Sequence, residues 1–407
     1  MKEFFIRRQL DDTCRAEIES LDENESFSLE ISRYCFDEES VREVLALFEK
    51  GRCSLLTIVS SRELRKFFDA FDRCGGNVSP TDIATIKLEN PTQEGMESLA
   101  TQLCRDTIRT SQLIIYTSVT PAISASLISI AEVNTLEKLD LSHSYCDRRA
   151  INSLIQAFTT ATNLKILDLS HCLLEDSIMA HVLTTLQGHP SLRYLDVSFN
   201  NCHSEACLAI GKLLKTTHLS SLKMTQQFIG RERFFDVRPI AESLALNQSL
   251  QTLDLKENFV SSEHLDNLFT ILTRNRTLKS LDISCTDITD ESLVRLAEKL
   301  HSTQIESLNL LHNTFRNAEP LVVAAKKNHC LKCILVDPSV RSRGSLWYQT
   351  ALNRAGRHLL AQDFIPISLW PLLLEFASNI QVPEDLDFQV HDIMYYLLKG
   401  PVLLSSN

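Results

Sequence analysis

The chain has 407 residues, 44% of them hydrophobic and 23% charged, a composition that can bury a sizeable core and excludes a disordered polymer. Against 41 Lys and Arg stand 52 Asp and Glu, a formal net charge of −11, which argues against nucleic acid or an anionic membrane surface as the main partner. The surplus is local, since residues 1–50 carry 14 acids and 7 bases.

Met1-Lys-Glu-Phe-Phe-Ile-Arg-Arg has neither the uninterrupted apolar core nor the small-residue cleavage site of a signal peptide, and no lipidation motif accompanies it. The expectation is an intracellular, cytoplasmic protein. In a reducing compartment the 12 scattered cysteines read as small buried hydrophobes rather than disulfides. Residues 111–131 form a run of 21 without a charge, yet hold seven Ser or Thr, Gln112 and Pro121, so no membrane insertion is expected.

A repeat dominates the chain. Leu136-Glu-Lys-Leu-Asp-Leu-Ser-His-Ser, Leu164-Lys-Ile-Leu-Asp-Leu-Ser-His-Cys and Leu192-Arg-Tyr-Leu-Asp-Val-Ser-Phe-Asn share one pattern with Leu250-Gln-Thr-Leu-Asp-Leu-Lys-Glu-Asn and Leu278-Lys-Ser-Leu-Asp-Ile-Ser-Cys-Thr. The inner apolar pair extends both ways as Leu29/Ile31, Leu56/Ile58, Ile86/Leu88, Leu113/Ile115, Leu139/Leu141, Leu167/Leu169, Leu195/Val197, Leu222/Met224, Leu253/Leu255, Leu281/Ile283, Leu308/Leu310 and Ile334/Val336. Successive pairs lie 26 to 31 residues apart.

Each pair alternates with period two, which sets both anchors on one face of a short strand. Helical spacing follows in each unit, as in Ile151, Leu154, Ile155 and Phe158, or Leu293, Leu296, Ala297 and Leu300. One strand and one helix cannot bury an apolar face alone, whereas stacked units can. The expected fold is α/β, a solenoid of about twelve parallel strands on a concave face with helices on the convex face. Asn200, Asn258 and Asn313 occupy the turn position three residues beyond the second anchor, with Ser144, Cys172 and Thr286 in their place elsewhere. Tyr34, Pro91 and Gln227 break that pattern. Asn247, Asn275 and Asn328 stand where a left-handed residue would end a helix.

This unit resembles the ribonuclease-inhibitor class of leucine-rich-repeat proteins. The resemblance implies that a partner protein is bound on the concave face, without catalysis, cofactor or metal. A GTPase-activating protein for Ran resembles the same fold and is one alternative, although the acidic tail that goes with it is missing from residues 402–407. A ubiquitin-ligase substrate receptor is another, and Ser368-Leu-Trp-Pro-Leu-Leu373 matches its elongin-binding box only at the opening Ser-Leu. The organisation expected is an N-terminal cap over 1–28, the solenoid over 29–340, and a helical C-terminal cap or appended module over 341–407. Within that tail, Leu352-Asn-Arg-Ala-Gly-Arg357, Ser368-Leu-Trp-Pro371 and Tyr395-Tyr-Leu-Leu-Lys-Gly-Pro401 resemble the tails of leucine-rich-repeat proteins from single-celled algae.

The residue between the anchors points away from the core, giving Asp140, Asp168, Asp196, Lys223, Asp254 and Asp282 along the concave face. This is a candidate docking row for a basic partner, although Leu-Asp-Leu-Ser is also a common form of the repeat. The longest repeat adds a loop with Arg231, Arg233, Phe234 and Phe235, residue types that anchor interfaces. His143 and His171 recur in adjacent repeats beside Asp140 and Asp168, but a zinc site needs further convergent ligands. Cys330-Leu-Lys-Cys333 has redox spacing without a thioredoxin-like setting. With no Gly-rich phosphate loop, nucleophile elbow or His-Glu-x-x-His, no enzyme activity, metal or cofactor is expected.

Overall fold

In the computed structural model the described residues are 2–6, 16, 20, 25–31, 48, 52–59, 64–65, 67–69, 81–227 and 235–354. The chain forms two compact units, one built from the chain through Asn201 with Thr216–Leu219, the other from Cys202–Lys215 and Ser220 onward.

In the first unit the strands Ser26–Ile31, Arg52–Ile58, Thr81–Glu89, Gln112–Tyr116, Lys138–Asp140, Ile166–Asp168 and Tyr194–Asp196 pair in sequence order, all parallel. A further parallel strand, Lys2–Ile6, pairs with Ser26–Ile31 inside the stretch read from sequence as a cap. In the second unit Ser221–Lys223, Thr252–Asp254, Ser280–Asp282, Ser307–Asn309 and Cys333–Leu335 pair in the same way. The anchor pairs lie on these strands or directly after them, and none of their side chains is more than 8% exposed. Burying alternate strand residues on one face forces the intervening ones onto the other.

From Thr81–Glu89 on, a helix returns the chain from each strand of these rows to the next. Ile151–Thr160 buries Ile151, Leu154, Ile155 and Phe158, and Asp290–Leu300 buries Leu293, Leu296, Ala297 and Leu300, as the spacing predicts. Thr92, Thr120, Ser261 and Thr289 start four helices by accepting the backbone N–H three residues on. The uncharged run 111–131 divides into the strand Gln112–Tyr116, the pair Ser118–Val119 and the helix Pro121–Glu132. Among the described residues no helix is long and apolar enough to cross a membrane.

Two rows of side-chain amides staple the repeats together. Asn200 Nδ2 donates to the carbonyls of Leu169, Val197 and Ser198, while its Oδ1 accepts from Leu174 N. Asn258 and Asn313 repeat that arrangement, and Ser144 and Cys172 reach the preceding repeat through Ile115 O and Leu141 O. Gln227 corrects the expectation that the pattern breaks there, because its longer side chain still reaches the Cys202 N–H at 3.2 Å. Asn247, Asn275 and Asn328 are a second correction, since none has a left-handed backbone. They act through their side chains instead. Nδ2 donates to Leu214, Leu244 and Leu300 carbonyls at 2.6, 2.7 and 2.8 Å, and Oδ1 accepts the N–H two residues ahead. A planar amide can bridge two repeats and close the turn at once, which removes any need for positive φ.

Candidate functional site

On the first unit's sheet, Asp140, Asp168 and Asp196 stand opposite one another on three adjacent strands, about 4.8 Å apart. Each turns Oδ1 back to accept the backbone N–H two residues on, from Ser142 at 3.0 Å, Ser170 at 2.9 Å and Ser198 at 3.0 Å. One oxygen of every carboxylate is therefore spent on holding its own turn. The second oxygens differ. Asp140 Oδ2 lies 3.5 Å from Lys138 Nζ and Asp196 Oδ2 accepts the Tyr194 hydroxyl at 3.2 Å, whereas the hydrogen bonds of Asp168, from Ser170 N and Oγ, both go to Oδ1. Burial, with the charges of Asp196 and Asp140 adding to it, pushes the Asp168 carboxyl above the usual carboxylate range against the pull of the Ser170 hydrogen bonds.

In the second unit Lys223, Asp254 and Asp282 are likewise in register, and Asn309 follows them. Asp254 accepts from Lys256 N and Asp282 from Ser284 N and Oγ, while Asn309 Nδ2 donates to Asp282 Oδ2 at 2.7 Å. Arg231, Arg233 and Phe234 lie outside the described residues. Phe235 is corrected as a partner anchor, because it is fully buried and its N–H donates to Phe259 O at 2.7 Å. Its ring fills this chain's own core and has no surface to offer. Phe259, 67% exposed, is an apolar ring at the surface of this unit that the sequence reading missed.

Beside the first unit's carboxylates runs an aromatic ladder that only the two histidines announced in the sequence. His143 and His171 stack with ring centroids 4.1 Å apart and planes 13° from parallel, and His171 stacks on Phe199 at 3.9 Å and 12°. Tyr116 meets His143 edge-on at 6.4 Å, and Lys87 Nζ sits 5.1 Å from the Tyr116 centroid. Each of His143, His171 and Phe199 follows its strand's Asp by three residues, so the ladder borders the carboxylate row. Burial lowers the His171 pKa and the neighbouring His143 lowers it further, while Asp196 opposes them. The backbone at these three positions is left-handed, with φ of 55° to 57°. Glu257, Cys285 and His312 share that geometry in the second unit, so the turn belongs to the repeat. The stacked rings belong to the first unit alone among the described residues.

The described residues contain no group of His, Cys, Asp and Glu that could hold a metal ion. The nine described cysteines are free thiols, Cys330 and Cys333 included, and most are buried as small hydrophobes.

Repeated strands, outer helices and amide staples together define a leucine-rich-repeat fold. A family model described as "Leucine Rich repeat" matches residues 160–180 and 274–297. Over 209 residues, half of this chain, the sequence is 25% identical to the protein NLRC5 of Ictalurus punctatus, and the match covers 11% of that protein's length. Similar solved structures include the TLR13–ssRNA13 complex, with a TM-score of 0.46, 18% identity, and coverage of 80% of this chain and 46% of that one. Another is the leucine-rich-repeat protein LegL7 from Legionella pneumophila, with a TM-score of 0.43, 14% identity, and coverage of 81% and 99%. A third is an internalin from Listeria monocytogenes, with a TM-score of 0.37, 16% identity, and coverage of 76% and 92%.

Proposed function

We propose that this chain is a non-catalytic protein-interaction scaffold of the ribonuclease-inhibitor-like class that takes its partner on the concave sheet face. The observation that carries the reading is the in-register row of acidic side chains on the face that each sheet turns away from its helices. Solenoids present extended surfaces of this kind, and a row of like charges selects a complementary partner while repelling others. The matched residues of NLRC5 and the leucine-rich-repeat family model support an interaction module. Asp140, Asp168, Asp196, Lys223, Asp254 and Asp282 are the contacts proposed.

The test is affinity capture from lysate followed by titration of the recovered partner against two forms of the full chain. Combining Asp168→Ala, Asp196→Ala and Asp254→Ala is expected to weaken binding at least about tenfold, with a steeper loss at low salt. Unchanged affinity with the circular dichroism spectrum intact would leave the acidic row as ordinary repeat architecture.

A further inference from the structure

The stacked ladder of the first unit has no counterpart at the equivalent positions Glu257, Cys285 and His312, so repeat geometry does not explain it. His171 is stacked on both faces, between His143 and Phe199, which leaves its ring edge to line the turn. His143 is exposed and Tyr116, His171 and Phe199 are half-exposed. Outside the ladder in the same repeats, Tyr145 and Leu173 are 59% and 58% exposed. Beside the ladder lie the carboxylates of Asp140, Asp168 and Asp196, with Lys138 paired to Asp140. Lys87 at the ladder's end is engaged by Glu89 at 2.8 Å, and Arg148 near the rim is engaged by Glu175.

Resting on the reading of this face as a docking surface, we propose that the first unit binds a basic segment of a partner protein, with Lys or Arg stems along the ring edges and a cationic head at Asp168. The long methylene stems of those side chains cover apolar surface while their heads seek charge. An apolar ring wall beside the Asp168 carboxylate is the complement of such a side chain. Asp168 is where the head docks, because among the described residues its Oδ2 lacks the partner that Lys138 gives Asp140 and Tyr194 gives Asp196. A guanidinium there makes charge-assisted hydrogen bonds and also relieves the mutual repulsion of three acids. A phosphate backbone meets the same row as repulsion, which favours a basic peptide over nucleic acid.

The experiment follows fluorescence anisotropy of a labelled peptide of alternating Arg and Ala, the same peptide with citrulline at every Arg, and a labelled single-stranded RNA, each titrated with the full chain. Saturable binding of the Arg peptide is expected, weakened about tenfold or more by citrulline. Asp168→Asn keeps the Oδ1 acceptor for Ser170 and replaces the charged Oδ2 with a neutral amide, so it should weaken binding about fivefold, while Glu97→Gln, exposed on the helix Gln93–Cys104, leaves it unchanged. Phe199→Leu tests the wall and should weaken it as well. Absence of binding, equal affinity for the citrulline peptide, indifference to Asp168→Asn in a folded protein, or preference for the RNA each overturns the proposal. If the captured partner is lost on combining Asp254→Asn with Asp282→Asn but retained on Asp168→Asn, the concave-face reading stands and this assignment falls. If neither change affects the partner, both fall.

Discussion

Asp168 pairs a desolvated charge with an oxygen that accepts no hydrogen bond from the described residues, and its stability and its function should pull in opposite directions. Its native carboxyl holds a proton to a higher pH than the same group in the unfolded chain. Between the ordinary carboxylate pKa of about 3.9 and the raised native value, the folded state therefore binds more protons, and stability falls as pH rises through that window. Asp168→Asn removes the penalty while keeping the acceptor for Ser170 N and Oγ. The variant is expected to melt above the wild type at pH 7, with the difference closing as pH falls below about 4; a variant that melts lower at pH 7 would contradict this account. The row itself was legible, because period two fixes which residues leave the core. The division of labour within each carboxylate was not, since Oδ1 binding two residues ahead depends on the turn rather than on the strand. The ladder was half legible: His143 and His171 stood out, while Tyr116 and Phe199 join them only once neighbouring strands are in register.

At the scale of elements, close approach sets what the packing tolerates. In the second unit a Cβ added to Gly211, on the helix Ser204–Thr216, would lie 2.7 Å from the Pro239 carbonyl oxygen of the next helix, and Ser243 Oγ donates to Gly211 O at 2.7 Å. The clash is with backbone, so the helices must separate for a methyl to enter. Gly211→Ala should cost about 1–3 kcal/mol in chemical denaturation despite alanine's higher helix propensity. A stabilised Gly211→Ala would mean that these helices have room to spare. The helices themselves were readable from their apolar spacing, as Ile151–Thr160 and Asp290–Leu300 show. The helix-end asparagines were misread because positive φ and a bridging amide favour the same residue type, and only the hydrogen-bond partners separate them. Phe235 was misread for a related reason: a phenylalanine in a long insertion serves a core or an interface equally well until burial is known.

Across the whole molecule the repeat count and spacing carried most of the fold, because each unit's strand is stable only against its neighbours and the period must persist. The strand Lys2–Ile6 escaped notice since it lacks the leucine pattern and is recruited by the pairing edge of Ser26–Ile31. In the second unit the helix Arg343–Arg354 buries Leu346 and Leu352, and Asn353 Nδ2 donates to the Ala325, Asn328 and Leu331 carbonyls, which ties this helix to the repeat before it. Residues 355–407, with the tail motifs Ser368-Leu-Trp-Pro371 and Tyr395-Tyr-Leu-Leu-Lys-Gly-Pro401, lie outside the described residues.

The central claim is that a partner docks on the sheet face and rim rather than on the helices. Site-specific photo-cross-linking tests it most directly, with a benzophenone amino acid placed at Tyr145 on the first unit's rim or at Glu97, exposed on the helix Gln93–Cys104. Irradiation in cells is predicted to give a discrete adduct from position 145 and none from position 97. An adduct from position 97 alone would place the partner on the helical face and contradict the account.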